Sequence, residues 1–333
     1  MKLTENLKNL WFRSRKSLRI LLCASTVILL VLICYSCIRA GAQKDKAGAG
    51  NLPLSEESRD MKKQDGAASS GAASDTELPD LAETIARLSR QISDPDREAF
   101  IEDFWRWIFG EANLPERLAR QVASSALEGP AFIMELLGIL HQDPYTYRLV
   151  DKQHGLPLDY EPADLVRLRE GIYRLGRNDL ALRRIAADAL DRMAAAAAAE
   201  GVFFTAGSAY RSAAYQAQVY DREVKIYGQE AADRESAQPG KSQHQLGLII
   251  DFSPIDDAFA KTPASQWLQH NAGRYGWSLS FPEGYEEVTG YRWESWHYRY
   301  VGPDLAAFID TYFDGIQQYA LQFIQAWLEQ AKN

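Results

Sequence analysis

The sequence predicts an α+β domain set behind a membrane helix, a flexible linker and a small helical region. Three observations predict it. An apolar run follows a basic N-terminal flank, and a long Gly-, Ala- and Ser-rich stretch comes next. From residue 141 the texture then changes from helical periodicity to short apolar, β-rich runs separated by helical stripes.

Residues 1–19 form the basic cytoplasmic segment, with Lys2, Lys8, Arg13, Arg15, Lys16 and Arg19. The apolar run 20–38 is near the ~20 residues that a helix needs to cross the hydrocarbon core. Its basic flank orients everything after Arg39 to the outside of the membrane. A cleaved signal peptide and lipid attachment at Cys37 are the competing readings. The apolar run is long for a signal peptide, and Tyr35 and Cys34 are poor neighbours for lipidation, so an uncleaved anchor is expected. Cys23, Cys34 and Cys37 are the chain's three cysteines and all lie in or beside this run. The exported part therefore folds without a disulfide, and any metal site in it uses His and carboxylates.

Charge narrows the partners. Residues 1–39 hold 7 of the 37 Lys+Arg and 1 of the 45 Asp+Glu, leaving 30 against 44, a net of −14, for the rest. An acidic exterior argues against nucleic acid as the partner. Residues 39–79 read as a flexible linker, and roughly forty such residues span about 35 Å r.m.s..

Residues 80–140 read as a helical region. Asp94-Pro95 starts one helix, with Phe100, Phe104, Trp107 and Ile108 recurring on one face. Pro115 opens a second through Leu118 and Val122, and AFIMELLGIL (131–140) is a third. Within 141–302, residues 177–201 predict a long helix with Leu182, Ile185, Ala186, Ala189 and Met193 as its stripe and Gly201 as its end. VFFTA (202–206) predicts a buried strand. Ser212 caps a helix through Tyr215, Val219 and Tyr220, and Pro263 behind Thr262 opens another that stops at Gly276. WSLSF (277–281) and YRWESWHYRYV (291–301) predict neighbouring strands. The tail, 303–333, predicts one amphipathic helix.

Two of the five histidines sit in dense polar contexts, SQHQLGLIIDFS (242–253) and Glu294-Ser295-Trp296-His297. An acid at the end of an apolar run, as Asp251 is, must be paired or bound to metal when buried. His244, Asp251 and His297 offer N, O and N donors of the kind Zn²⁺ accepts, and Glu294 is a carboxylate beside the third. Three protein ligands with a free position and a base nearby are the parts of a metal-assisted hydrolase. A flat strand puts Glu294 and His297 on opposite faces, so a shared site requires irregular backbone between them. Asp256 and Asp257 read as solvated turn residues, His270 as helix surface and His154 as structural, while His141 lies at the edge of the helical region.

SAYRS (208–212), SQHQLGLIID (242–251), WLQHNAGRYGWSLSFPEG (267–284) and TGYRWESWHYRYVG (289–302) resemble the VanY-type D-alanyl-D-alanine carboxypeptidases. These belong to the LAS zinc metallopeptidases, which include the VanX dipeptidases. The resemblance covers about 149–302 and rests on the order Ser-x-His-x6-Asp followed by Glu-x-x-His. It implies a small antiparallel sheet flanked by helices. It also implies one zinc ion held by His244, Asp251 and His297, Glu294 as general base and Arg211 as oxyanion stabiliser. Ser242, Gln216 and Arg211 are implied as substrate contacts. The implied enzyme is a membrane-anchored zinc D,D-carboxypeptidase. It acts on peptidoglycan stem peptides ending in D-Ala-D-Ala, outside the bacterial cytoplasmic membrane. A D,D-dipeptidase, L,D-carboxypeptidase or endopeptidase of the same chemistry is the near alternative. A non-catalytic wall-peptide-binding module is the distant one, disfavoured by the intact Glu294.

Overall fold

The protein is described from a computed structural model, which covers Phe104, 106–108, Ala112, 114–128 and 131–332. The membrane run, the linker and the Asp94-Pro95 helix start lie outside the described residues.

Mixed α and β structure begins where the sequence changes texture. A five-stranded sheet has the order β2 (Arg174–Leu175), β4 (Thr205–Ser208), β5 (Ile249–Phe252), β7 (His297–Tyr300), β6 (Trp277–Leu279). All its pairs are antiparallel except β2 with β4. A second small sheet pairs β1 (Leu165–Arg167) with β3 (Ala181–Arg183). The central strands β5 and β7 are buried at every position, which is why LIID and HYRY read as continuous apolar or aromatic runs. Phe204, Phe252, Phe259, Trp267 and Tyr298 fill the core beside them.

The predicted helix over 177–201 is shorter in the structure. It runs Arg184–Ala199 (α4); residues 177–180 form an irregular turn and 181–183 are strand β3 instead. Leu182 is buried because it pairs with Val166 across the small sheet, and Ile185 is 40% exposed. The buried stripe of α4 is Ala186, Ala189, Leu190, Met193 and Ala197. The strand expected at 202–206 is displaced to Thr205–Ser208, with Phe203 turned out to solvent. Other signals hold as read. Ser212 Oγ accepts from Tyr215 N at the start of α5 (Ala213–Tyr227). Thr262 Oγ1 accepts from Ser265 N at the start of α7 (Pro263–Asn271), and Gly276 ends the 3₁₀ turn that follows at φ +82°. Between them, α6 is Gln229–Glu235, and the short α8 (Glu286–Thr289) follows later in the chain.

The helices outside this sheet form one second core. Phe104, Trp107, Phe132 and Leu136 pack with Phe308, Phe313, Phe323 and Trp327. On one side these residues come from α2 (Ala131–Leu140) and from the residues before α1 (Glu116–Glu128), whose Val122 and Ala123 join the same core. On the other, the tail is two helices rather than one, α9 (Pro303–Tyr312) and α10 (Gln317–Lys332). Asp314 at φ 54° and Gly315 at φ 76° make the break. Arg299 of β7 is wholly buried, and its Nη2 donates to the carbonyls of Tyr145, Thr146 and Arg148 at the end of α3 (Pro144–Tyr147). That anchors β7 two residues from His297.

A second tie joins the first turn of α10 to the sheet unit. Asp151 accepts from Gln318 Nε2 at 2.9 Å, from the Gln153 and His154 amides at 2.8 Å each, and from His154 Nδ1 at 2.9 Å. Burial opposes the charge of Asp151, but these bonds outweigh it and hold its pKa below the ordinary carboxylate value. A depressed folded pKa stabilises the fold above the unfolded pKa, and that stabilisation fades as pH falls through the folded one. Asp151→Asn should therefore lose ~1–3 kcal/mol at neutral pH. Thermal melts should show the gap to wild type closing as pH drops below the carboxylate range.

Candidate metal centre and cleft

The site is built where β5 and β7 run side by side. Asp251 and His297 are direct cross-strand partners, so their side chains leave the same face of the sheet. His244 arrives from the 3₁₀ turn Gln243–Leu246, which ends at Gly247. Gly247 has φ +67°, and a Cβ there would stand 3.0 Å from the side chains of Arg183 and Leu165. Only glycine makes that turn into β5 without strain.

The irregular backbone expected between Glu294 and His297 is present. Strand β7 starts at His297 itself, and Glu294 lies in the turn before it. His297 N donates to Glu294 O at 3.2 Å, and Glu294 N donates to Phe281 O at 3.0 Å. Glu294 Oε2 consequently comes within 3.4 Å of His297 Nδ1.

His244, Asp251 and His297 are all buried, and their donor atoms lie within 4.8 Å of one another. The protonation pattern fits a cation between them. His244 Nδ1 is 2.6 Å from the Ala209 carbonyl, which only accepts, so Nδ1 carries the proton and Nε2 keeps its lone pair. Burial pushes His244 down to about 4, so the ring is neutral at neutral pH. Its lone pair faces Asp251 Oδ2 at 3.2 Å. Burial also works against the charge of Asp251; its pKa stays low only while the histidine nitrogens facing it carry protons, and with lone pairs there a cation has to take over that task. Asp251 Oδ1 is buried without a hydrogen bond although His297 Nδ1 stands 3.0 Å away. Lone pairs and carboxylate oxygens converging in a buried place repel one another until a cation joins them.

Arg211 flanks this cluster. Its Nη1 donates to Gln216 Oε1 at 2.8 Å and its Nη2 to Ser208 Oγ at 3.0 Å, while Asp251 Oδ2 is 3.8 Å from Nη2. Gln216 is 1% exposed, and its Nε2 donates to Ala237 O at 2.7 Å. Both ends of that amide are thus engaged, and its evident task is to aim Arg211. Ser242 is buried on the cleft wall and makes no capping bond to the 3₁₀ turn behind it. Glu294 is held well above the ordinary carboxylate range, by burial first and by the charge of Asp251 second. All seven side chains line one cleft of about 350 Å³.

The aromatics of 291–300 are the expected wall, and what sequence reasoning missed are polar members, Arg292 and Asp256. Tyr291, Arg292 and Trp296 form its wall, with the Arg292 guanidinium over the Trp296 ring at 5.8 Å. Asp257, read as a plain turn residue, is the ion-pair partner of Arg292. Asp256, read the same way, lines the cleft. Of the other histidines, His154 is tied to Asp151 and His270 sits on the exposed face of α7.

Residues 179–303 match the family model VanY: D-alanyl-D-alanine carboxypeptidase. The chain is 38% identical over 183 residues to the Putative carboxypeptidase YodJ of Bacillus subtilis (strain 168), covering 51% of this chain and 65% of that one. It is 30% identical over 165 residues to the Bifunctional D-Ala-D-Ala dipeptidase and D-Ala-D-Ala carboxypeptidase VanXYC of Enterococcus gallinarum, covering 47% of this chain and 84% of the relative. Among solved structures, the vancomycin resistance D,D-pentapeptidase VanY from a VanB-type resistance cassette, in complex with Zn(II), is 30% identical. That alignment covers 57% of this chain and 99% of the other, with a TM-score of 0.44. With so much of VanXYC aligned at this identity, the chain belongs to the VanY family of D-alanyl-D-alanine carboxypeptidases.

Proposed function

We propose that this chain is a zinc D,D-carboxypeptidase that removes the terminal D-Ala from peptidoglycan stem peptides ending in D-Ala-D-Ala. One observation carries the reading: His244, Asp251 and His297 converge in a buried cluster with Glu294 and Arg211 on the same cleft. His244 Nε2, Asp251 and His297 Nδ1 would hold the ion. Bound there, zinc supplies Lewis-acid polarisation of the scissile carbonyl and makes water a usable nucleophile at neutral pH.

The chain's own groups do the rest. Glu294 takes the proton from the attacking water at Oε2 and delivers it to the nitrogen of the departing D-Ala. Its raised pKa lets one carboxyl both accept and return that proton. Arg211, fixed by Ser208 and Gln216, presents a cation where the carbonyl oxygen gains charge. Ser242, on the wall two residues before His244, is placed to meet the substrate's carboxylate end.

The location belongs to the same proposal. The run 20–38 would anchor the chain in the bacterial cytoplasmic membrane, and the linker would let the cleft reach stem peptides on the outer side. Among the described residues no single helix is long and apolar enough to cross a membrane, so the anchor rests on that N-terminal run alone.

The test is product analysis with the full-length chain, Zn²⁺ and a stem pentapeptide. Release of single D-Ala supports the proposal. Release of the D-Ala-D-Ala dipeptide, or attack only on a tetrapeptide, assigns the chemistry to a different cut. Removing the metal with a chelator should bring activity to background, and adding Zn²⁺ back should restore it. Full activity in the metal-stripped chain would sink the metal reading.

A further inference from the structure

Gln243 stands between Ser242 and His244 and is 5% exposed. Its side chain reaches toward His297. Gln243 Oε1 accepts from Ser280 Oγ at 2.8 Å and lies 3.4 Å from His297 Nε2. Gln243 Nε2 faces the Val150 carbonyl at 3.4 Å. A carbonyl only accepts, so the amide's NH₂ end belongs toward Val150 and its oxygen toward Ser280 and His297. An oxygen facing His297 Nε2 requires the proton on Nε2. That leaves the lone pair on Nδ1, the nitrogen 3.0 Å from Asp251.

The two histidines are thereby held in opposite tautomers. A backbone carbonyl fixes His244 with its proton on Nδ1, and a side-chain amide fixes His297 with its proton on Nε2. The amide is itself held from outside the span matched to the family. Ser280 also reaches Gln317 Oε1 at 3.4 Å, and Gln317 Nε2 donates to Ser278 O at 3.3 Å. Gln317 is 1% exposed in the first turn of α10, beyond residue 303.

We propose that Gln243 is a positioning residue for His297, selecting the tautomer and ring orientation that present Nδ1 to the metal, and that Gln317 steadies it through Ser280. The inference rests on the metal reading above. Side chains behind a metal-bound histidine typically contribute 10–100-fold in metal affinity.

The experiment measures Zn²⁺ binding by the full-length chain in competition with a chromogenic chelator. Gln243→Leu should weaken binding by about 10- to 100-fold. Gln243→Glu keeps an acceptor oxygen in the same place and should restore most of it. Gln317→Leu should give a smaller loss in the same direction. In the ¹⁵N-histidine-labelled wild type, long-range NMR correlations should show His297 protonated at Nε2 and metallated at Nδ1. A wild type with the His297 proton on Nδ1 overturns the proposal without recourse to any variant. So does a folded Gln243→Leu chain with wild-type zinc affinity. A wild type that binds no zinc is a different failure, since it removes the metal reading itself.

Discussion

Replacing Glu294 by Gln should lower kcat for D-Ala release by about 10²–10⁴-fold, the usual contribution of a positioned acid–base group, while zinc stays bound. The substitution keeps the shape of the side chain and its place in the turn, because that place is set by backbone. Glu294 N donates to Phe281 O, and Glu294 O accepts from His297 N. What is lost is the ability to hold a proton. The carboxyl is buried beside Asp251, and both features raise its pKa above the ordinary carboxylate range, which favours holding a proton once it is taken up. Its Oε2 stands 3.4 Å from His297 Nδ1, beside the ligand cluster. Zinc content separates the roles: Asp251→Asn should lose metal and activity together, whereas Glu294→Gln should lose activity alone. Retention of wild-type turnover by Glu294→Gln would remove the base from the mechanism. Loss of zinc from that variant would make Glu294 a ligand.

Most of this site was legible because its chemistry is carried by residue types that are costly to bury. His244, Asp251 and His297 have no cheap reason to sit in an aromatic and aliphatic interior, and all three are buried. The parity argument at YRWESWHYRY also survived, since β7 begins at His297 and leaves Glu294 in a turn. Gln243 was not legible. An amide carries no charge, and its partners Ser280 and Gln317 lie far along the chain. Only the folded arrangement shows that the residue between two motif positions serves a third. Gln216 is similar: the sequence points to a cleft residue, and the structure shows an amide engaged at both ends with Arg211 and Ala237.

The fold was misread where two periods met or where small residues formed a strand. Leu182 falls on the helical stripe of the following α4 by spacing, yet it belongs to a three-residue strand that ends at the helix. The strand β4 is Thr-Ala-Gly-Ser, with little of the bulk that marks a strand. Its smallness has a cause, because a Cβ at Gly207 would lie 2.4 Å from Ser253 Oγ and 2.9 Å from Ile255. The bulkier VFF before it drew the expected start three residues early, to Val202 rather than Thr205. In the tail, the apolar stripe runs on through the break, and the Asp314-Gly315 pair was the signal that should have divided it.

Arg211 gives the second large effect, and its kinetics decide what the cation does. Arg211→Met should reduce kcat by about 10²–10³-fold, the scale of losing one donor to a developing oxyanion, with KM changed little. The reason is geometric. The guanidinium is held by Gln216 on Nη1 and Ser208 on Nη2, and Asp251 lies 3.8 Å from Nη2. A cation fixed in advance of the reaction needs no reorganisation when charge appears, so its benefit falls on the transition state. Lysine should not rescue it. A single ammonium cannot meet Gln216 and Ser208 with two planar donors as the guanidinium does, so Arg211→Lys should stay closer to Arg211→Met than to wild type. Gln216→Leu should give a partial version of the same loss, because it frees one arm of the fork. If Arg211→Met instead raised KM and left kcat intact, the arginine would be binding the peptide's carboxylate in the ground state. In that case the oxyanion role would pass to another group on the cleft wall, with Arg292 the nearest in kind.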